Sequence, residues 1–150
     1  MEVATEVTID ASRETVWCIL TDIQCYPQWN PYIRELHGKL ALAESIEFRF
    51  ALFWGITLPA QARVLAAVAG HELRWAGHLL WDRLFRAEHY HIIEPISERA
   101  VRFAHGERFS GVLTMVLVPF LRIWAPGRYR AVNLALKQRA ERAQHGEAPS

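Results

Sequence analysis

Apolar and polar residues alternate with a period of two over much of this chain. Val3, Thr5, Val7 and Ile9 alternate with Glu2, Ala4, Glu6 and Thr8, the pattern of a strand with one covered face. Asp10-Ala11-Ser12 then offers helix caps, Glu14 falls in the following turn, and Val16, Trp17, Ile19 and Leu20 supply the stripe of a short helix. Pro27 and Pro31 forbid a regular continuation, so Tyr26 to Pro31 is expected to be a turn or a short second helix.

From Tyr32 to Phe109 the period of two returns. Ile46, Phe48, Phe50 and Leu52 alternate with Glu47 and Arg49; Leu73, Trp75 and Gly77 with Arg74 and Ala76. Phe85, Ala87, His89, His91 and Ile93 alternate with Arg86, Glu88 and Tyr90; Val101, Phe103, His105, Glu107 and Phe109 with Arg102 and Arg108. Turn residues separate the runs at Ala43-Glu44-Ser45, Gly70-His71 and Pro95-Ile96-Ser97. These connections are too short for parallel crossovers, so the strands form an antiparallel meander. One face is apolar and the other, with Arg49 and Arg63, is a solvated face.

After Phe109 the pattern changes. Gly111 to Trp124 is apolar nearly throughout, Pro126-Gly127 is expected to interrupt it, and Arg128 to Arg142 has helical periodicity. Tyr129, Val132, Asn133, Leu136 and Ala140 share one face of that helix. This order predicts an α+β fold: a seven-stranded antiparallel sheet curved around a long C-terminal helix, with two short helices after strand one. Residues 1–143 form a single domain and 144–150 a flexible tail.

Composition narrows the class. The 150 residues are 51% hydrophobic and 22% charged, with six Trp, seven Phe and four Tyr, which excludes a disordered chain. Seventeen basic side chains against sixteen acidic ones leave no basic excess for a generic nucleic-acid binder. The start of the chain carries no secretory pattern, and Val112 to Trp124 is shorter than the about 20 residues of a membrane span. Cys18 and Cys25 have no partners for a metal motif and are expected to be reduced, in a cytoplasmic protein.

The hairpin around Pro95 to Ser97 carries the candidate chemistry. Turning there, it pairs Ile93 with Val101, His91 with Phe103, His89 with His105, Ala87 with Glu107 and Phe85 with Phe109. His89, His91, His105 and Glu107 then project from the apolar face. Burying titratable groups costs several kcal/mol unless they pair or meet water. Three explanations stand open: a satisfied polar network, a spot that orients the polar end of an apolar ligand, or catalysis or metal binding. In the last, His89 or His105 would act as general base with Glu107 orienting it. Two His and a Glu on adjacent strands suit zinc chemically, but the spacing matches no metal signature and no metal site is assigned.

Phe48, Phe50, Trp75, Phe85, Phe103 and Phe109 fall on the same inner face, either as core or as the walls of a pocket for flat ligands. Tyr129 and Asn133 point from the helix toward the sheet, Asn133 to cap a strand carbonyl or to contact ligand. Trp29 reads as a structural plug at one rim, and Trp54 and Trp81 lie near strand ends and loops. The 112–124 segment is either a buried lid or an exposed patch for a membrane or a second subunit.

Three segments carry a family resemblance: Ile9-Asp-Ala-Ser-Arg-Glu-Thr-Val-Trp17 with Asp22 and Tyr26-Pro-Gln-Trp-Asn-Pro31; Glu88-His-Tyr-His-Ile-Ile-Glu-Pro95 with His105-Gly-Glu-Arg-Phe-Ser-Gly111; and Asn133-Leu-Ala-Leu-Lys-Gln-Arg-Ala-Glu141. In this order they resemble the START-like, or SRPBCC, superfamily of helix-grip proteins, which includes polyketide cyclases and lipid-transfer domains. The apolar 112–124 segment departs from that pattern. The resemblance implies an apolar cavity between sheet and C-terminal helix, a lipid, quinone, polyketide or similar ligand, and no cofactor.

The expected function is therefore binding and carrying a small hydrophobic ligand, with a polyketide cyclase or aromatase as the enzymatic alternative and membrane or partner contact through 112–124 as a third. The candidate ligand-binding residues are Phe48, Phe50, Trp75, Phe85, His89, His91, Phe103, His105, Glu107, Phe109, Tyr129 and Asn133. The candidate catalytic residues are His89, His105 and Glu107. A monomer and a homodimer are both compatible with the pattern.

Overall fold

Ser12 ends the turn after β1 (Glu2–Ile9) and starts α1 (Arg13–Thr21): its hydroxyl accepts the Thr15 backbone N–H at 3.1 Å, the cap expected from the sequence. The computed structural model describes residues 1–52 and 55–146 (Leu79 for its backbone), so Trp54 and tail residues 147–150 lie outside the described chain. A 3₁₀ turn (Ile23–Cys25) leads into α2 (Tyr26–Trp29), with Pro27 in its first turn, where a missing N–H costs nothing. Six strands follow: β2 (Ile33–Gly38), β3 (Ser45–Ala51), β4 (Thr57–Val68), β5 (Glu72–Leu79), β6 (Phe85–Ser97) and β7 (Ala100–Ser110). All neighbours pair antiparallel in the order β1-β7-β6-β5-β4-β3-β2. This is the seven-stranded, helix-grip α+β architecture expected.

Two local expectations are corrected. The β6–β7 hairpin turns at Glu98-Arg99, not at Pro95 to Ser97, so β6 continues through the proline and pairs Pro95 with Val101. Pro95 is tolerated because β5 stops pairing at Ile92, leaving β6 a strand partner on one side only. The register shifts by two residues: Ile93 faces Phe103, His91 faces His105, His89 faces Glu107 and Ala87 faces Phe109. A shift of two leaves every side chain on its expected face but changes each partner.

The second correction concerns the segment before the last helix. Pro126-Gly127 does not interrupt it; α3 (Val112–Gln144) is one helix of 33 residues with Pro119 and Pro126 inside it. Each proline removes an N–H that would have met the carbonyl four residues earlier. Those carbonyls belong to Met115 and Arg122, both exposed, where water can satisfy them. The start of α3 has no side-chain cap. Its first N–H groups, Val112 and Leu113, instead donate to the carbonyls of Arg83 (3.1 Å) and Leu84 (3.0 Å) in the β5–β6 loop. At the other end Gln144 Oε1 accepts from Ser12 N–H and Thr15 Oγ1, both at 3.1 Å, tying the helix to α1.

α3 packs chiefly on β1, β7 and α1. Ile9, Val101, Phe103, Ile93, Leu136 and Ala140 belong to the larger core cluster, together with Trp29, which is buried as the expected plug. Val3, Phe109, Leu121, Ala125 and Tyr129 form a second cluster. Each large aliphatic side chain fully buried there contributes about 1.5–3 kcal/mol. Arg49 and Arg63 are exposed, as the alternation required.

Candidate functional site

β6 and β7 deliver the histidines because i and i+2 share a face and the hairpin register sets their partners. His91 and His105 are a directly opposed pair, and His89 sits diagonally to His105. The three rings form a nearly equilateral group, with centroids 4.9 Å (His89–His91), 4.7 Å (His89–His105) and 4.7 Å (His91–His105) apart. Trp75 on β5 stacks on His89 at 5.2 Å with the planes 6° apart. Phe103 stacks on His91 at 5.8 Å.

A polar chain runs through the group. Asn133 Nδ2 donates to Thr5 Oγ1 (3.0 Å), which leaves Asn133 Oδ1 to accept His105 Nδ1–H at 2.8 Å. That assigns the lone pair of neutral His105 to Nε2, which lies 2.7 Å from His89 Nε2. His89 Nδ1 in turn faces Glu107 Oε1 at 3.7 Å. Tyr129 donates its hydroxyl to Glu107 Oε2. Thr5 also donates to the His105 carbonyl at 3.2 Å. Asn133 therefore fixes the His105 ring rather than capping a strand carbonyl.

The electrostatics follow from depth. His91 and His105 are 3% and 1% exposed, and burial holds both well below the usual histidine range, with the neighbouring imidazoles pushing the same way. For His105 the bond to Asn133 opposes the shift without cancelling it. Burial, then the Glu107 charge, drives the Tyr129 hydroxyl far above its ordinary value, so it stays protonated and donates. His91 Nδ1 is buried with no hydrogen-bond partner. His89 and Glu107 differ: each side chain keeps 18% of its surface accessible.

The sequence-predicted residues thus divide. His89, His91, His105, Glu107, Tyr129 and Asn133 form one connected cluster, with Trp75 and Phe103 stacked against it. Phe85 and Phe109 meet at 6.0 Å in the second core cluster. Phe48 and Phe50 lie 6.3 Å apart on β3, beyond β5 and β4, and are not brought to the histidines. Phe48, Phe50 and Phe85 are only half-buried although they face inward, whereas Trp75, Phe103 and Phe109 are sealed. An open depression of about 540 Å³ on β2–β5, lined by Glu35, His37, Glu47, Arg49, Gln61 and His78 among others, shares only Phe48 with the predicted set.

Sequence reasoning missed Thr5 and Arg128. Arg128 reaches from α3 to donate to the carbonyls of Ala51 and Leu52 (2.9 Å to the latter), with its guanidinium 3.6 Å from the Tyr32 ring centroid and 4.2 Å from that of Trp124. The signal available was Trp124 one helical turn before it. Among the described residues, His89, His91 and His105 are also the group of metal-ligating side chains: one ligand atom from each lies within 4.8 Å of the others.

The 112–124 segment is not a buried lid. Val112, Met115, Val116, Phe120 and Ile123 are exposed, Ile123 to 85%, while Thr114, Leu121 and Ala125 face inward. The described helices include none long and apolar enough to cross a membrane.

The sheet gripping a long C-terminal helix, with two short helices after the first strand, is an α+β helix-grip fold. No protein-family model matches the chain, and no curated protein matches it in sequence. Solved structures share the fold. An aromatase/cyclase, Zhui, from a Streptomyces species aligns with TM-score 0.79 and 13% identity over 99% of both chains. A START superfamily protein from Mycobacterium smegmatis aligns with TM-score 0.75 and 21% identity over 95% of this chain and 98% of its own. The di-domain aromatase/cyclase BexL, from the BE-7585A biosynthetic pathway, aligns with TM-score 0.77 and 14% identity over 94% of this chain and 46% of its own.

Proposed function

We propose that the protein binds, and carries, a small hydrophobic molecule on the inner face of its sheet. One observation carries this reading: Phe48, Phe50, Phe85, His89 and Glu107 all face inward yet stay partly accessible, so α3 does not seal the sheet it crosses. Apolar walls with a few convergent polar groups are what a ligand site of this kind requires. Desolvation would supply the affinity, about 0.8 kcal/mol per buried CH₂, and the His89–Glu107 edge would orient the ligand's polar end. The exposed stripe on α3 fits a carrier that meets its ligand at a membrane surface. Native mass spectrometry of protein purified from cells is expected to find a co-purified lipid, quinone or polyketide-like molecule. Protein that is empty and also fails to bind added hydrophobic probes would sink the reading.

A second reading, a cyclase-type enzyme, draws on the polar path from His105 through His89 and Glu107 to Tyr129. Two of the structural neighbours are named aromatase/cyclase. Its test is turnover of a poly-β-ketone thioester. Glu107→Gln should abolish turnover and spare binding. Equal turnover by both proteins would remove Glu107 from the chemistry.

A further inference from the structure

We propose that His89, His91 and His105 form a binding site for one divalent transition-metal ion of the zinc class, with Glu107 and Asn133 orienting the ligands from behind. Three imidazoles with ligand atoms within 4.8 Å of one another are the donor set that such ions prefer.

The groups behind the rings carry the argument further than the count of histidines. His89 and His105 turn their Nε2 atoms toward each other at 2.7 Å. The opposite nitrogen of each faces an acceptor: His105 Nδ1 meets Asn133 Oδ1 at 2.8 Å, and His89 Nδ1 meets Glu107 Oε1 at 3.7 Å. Metal-bound histidines are held this way, with the second N–H donated to an amide or carboxylate oxygen. Tyr129 and Thr5 secure those acceptors in turn. His91 packs against both other rings, and its buried Nδ1 makes no hydrogen bond of good geometry.

Binding requires one rearrangement. Two nitrogens bound at about 2.0–2.1 Å around a tetrahedral ion sit about 3.3 Å apart, so the 2.7 Å contact must open by a few tenths of an ångström per ring. The proton shared between the two Nε2 atoms moves to His89 Nδ1, and Glu107 Oε1, 3.7 Å away, closes by under an ångström to accept it. The accessible edges of His89 and Glu107 give water or a ligand's oxygen a route to the group.

The site shares His89 and Glu107 with the proposed ligand-binding edge but is tested without any organic ligand. Protein dialysed against a chelator is titrated with Co²⁺ and then Zn²⁺. The expected result is one Co²⁺ per chain with the intense visible absorption of a four- or five-coordinate ion, displaced by Zn²⁺. His91→Phe and His105→Phe should each weaken binding by about 100-fold or more, and Asn133→Leu by about 10- to 100-fold. His71→Ala and His78→Ala, which remove exposed histidines, should change nothing. Ring ¹⁵N spectra of the parent protein serve where a variant fails to fold: Zn²⁺ should shift the His89 and His105 Nε2 signals. Folded parent protein that binds no stoichiometric Co²⁺ overturns the proposal. So does binding that leaves those ring signals unmoved or disappears in the exposed-histidine variants. A failed titration leaves ligand capture standing, and an empty protein in native mass spectrometry leaves the metal site standing.

Discussion

Asn133 on α3 accepts the Nδ1–H of His105 on β7 at 2.8 Å, joining the gripped helix to the buried histidine whose Nε2 meets His89. Asn133→Leu keeps the volume but leaves the buried His105 Nδ1–H without its acceptor and removes the amide donor to Thr5 Oγ1. An orphaned buried polar group costs about 1–3 kcal/mol, so the variant should unfold at correspondingly lower urea concentration. Asn133→Asp, which keeps the acceptor, should place a negative charge beside His105 and raise its pKa, read directly by histidine NMR. An Asn133→Leu protein as stable as the parent would show that this bond contributes nothing.

The same burial predicts a pH dependence. His91 and His105 titrate well below 6.5 in the folded protein and near 6.5 when unfolded. Below 6.5 the unfolded chain therefore takes up protons that the folded chain refuses. Their contribution is fully present above pH 6.5 and is lost as the pH falls, at up to about 1.4 kcal/mol per pH unit for each histidine. Urea unfolding at pH 7.5, 6.5 and 5.5 should show stability declining across the last interval. His91→Phe should flatten that decline by up to half. A flat profile in the parent would mean that these groups charge without unfolding the site.

How much of this was legible in the sequence depends on which physical rule was at stake. The seven strands and the inward face of His89, His91, His105 and Glu107 follow from side-chain alternation, and alternation survives a two-residue register error. The partners do not survive it: reading the turn at Pro95 to Ser97 set His89 opposite His105, whereas the turn at Glu98-Arg99 sets His91 there. The sequence predicts an interruption at Pro126-Gly127 because a proline removes a hydrogen bond, and the pattern does not show that the freed carbonyl belongs to the exposed Arg122. Asn133 and Tyr129 were placed on the right face, but their bonds to His105 and Glu107 depend on how α3 sits on the sheet, which no local pattern encodes.

Gly106 on β7 lies under Tyr90 on the opposite, solvent-facing side of the sheet. A Cβ there would come 2.5 Å from Tyr90 Oη and 2.7 Å from the Val3 carbonyl. Tyr90 cannot simply move away: its hydroxyl donates to Glu2 at 2.7 Å, and Arg74 and Arg108 lie over its ring at 5.9 and 5.4 Å. Gly106→Ala should therefore cost about 1–3 kcal/mol through overpacking, measured by chemical unfolding. Adding Tyr90→Phe should recover part of the loss; failure of the double variant to gain over Gly106→Ala would place the clash at the Val3 backbone instead.

Arg128 fastens α3 to the end of β3 by donating to two backbone carbonyls between two aromatic rings. Arg128→Met removes the donors while keeping the stem. The expected loss is about 2 kcal/mol, typical of hydrogen bonds to a charged group, read as a lower thermal midpoint. Arg128→Lys should recover little, because an ammonium cannot fork to both carbonyls and lie flat between Tyr32 and Trp124. Full recovery by lysine would reduce the contact to simple charge.

Val112, Met115, Val116, Phe120 and Ile123 fall on one side of α3, since their spacing repeats at three or four residues. The N–H groups of Val112 and Leu113 bond to the β5–β6 loop, which brings exposed Leu80 and Trp81 beside the start of that stripe. Ile123 is the position to test, because it is 85% exposed, whereas the neighbouring Trp124 is half-buried and stacked on Phe120 and Arg128. A surface substitution there should change stability by no more than about 0.5 kcal/mol. If the stripe meets a lipid surface, parent protein should float with liposomes and Ile123→Asp should remain in solution, because a carboxylate resists burial at the acyl boundary. Parent protein that stays in solution while sedimenting as a dimer, with Ile123→Asp a monomer, would assign the stripe to a second copy of the chain.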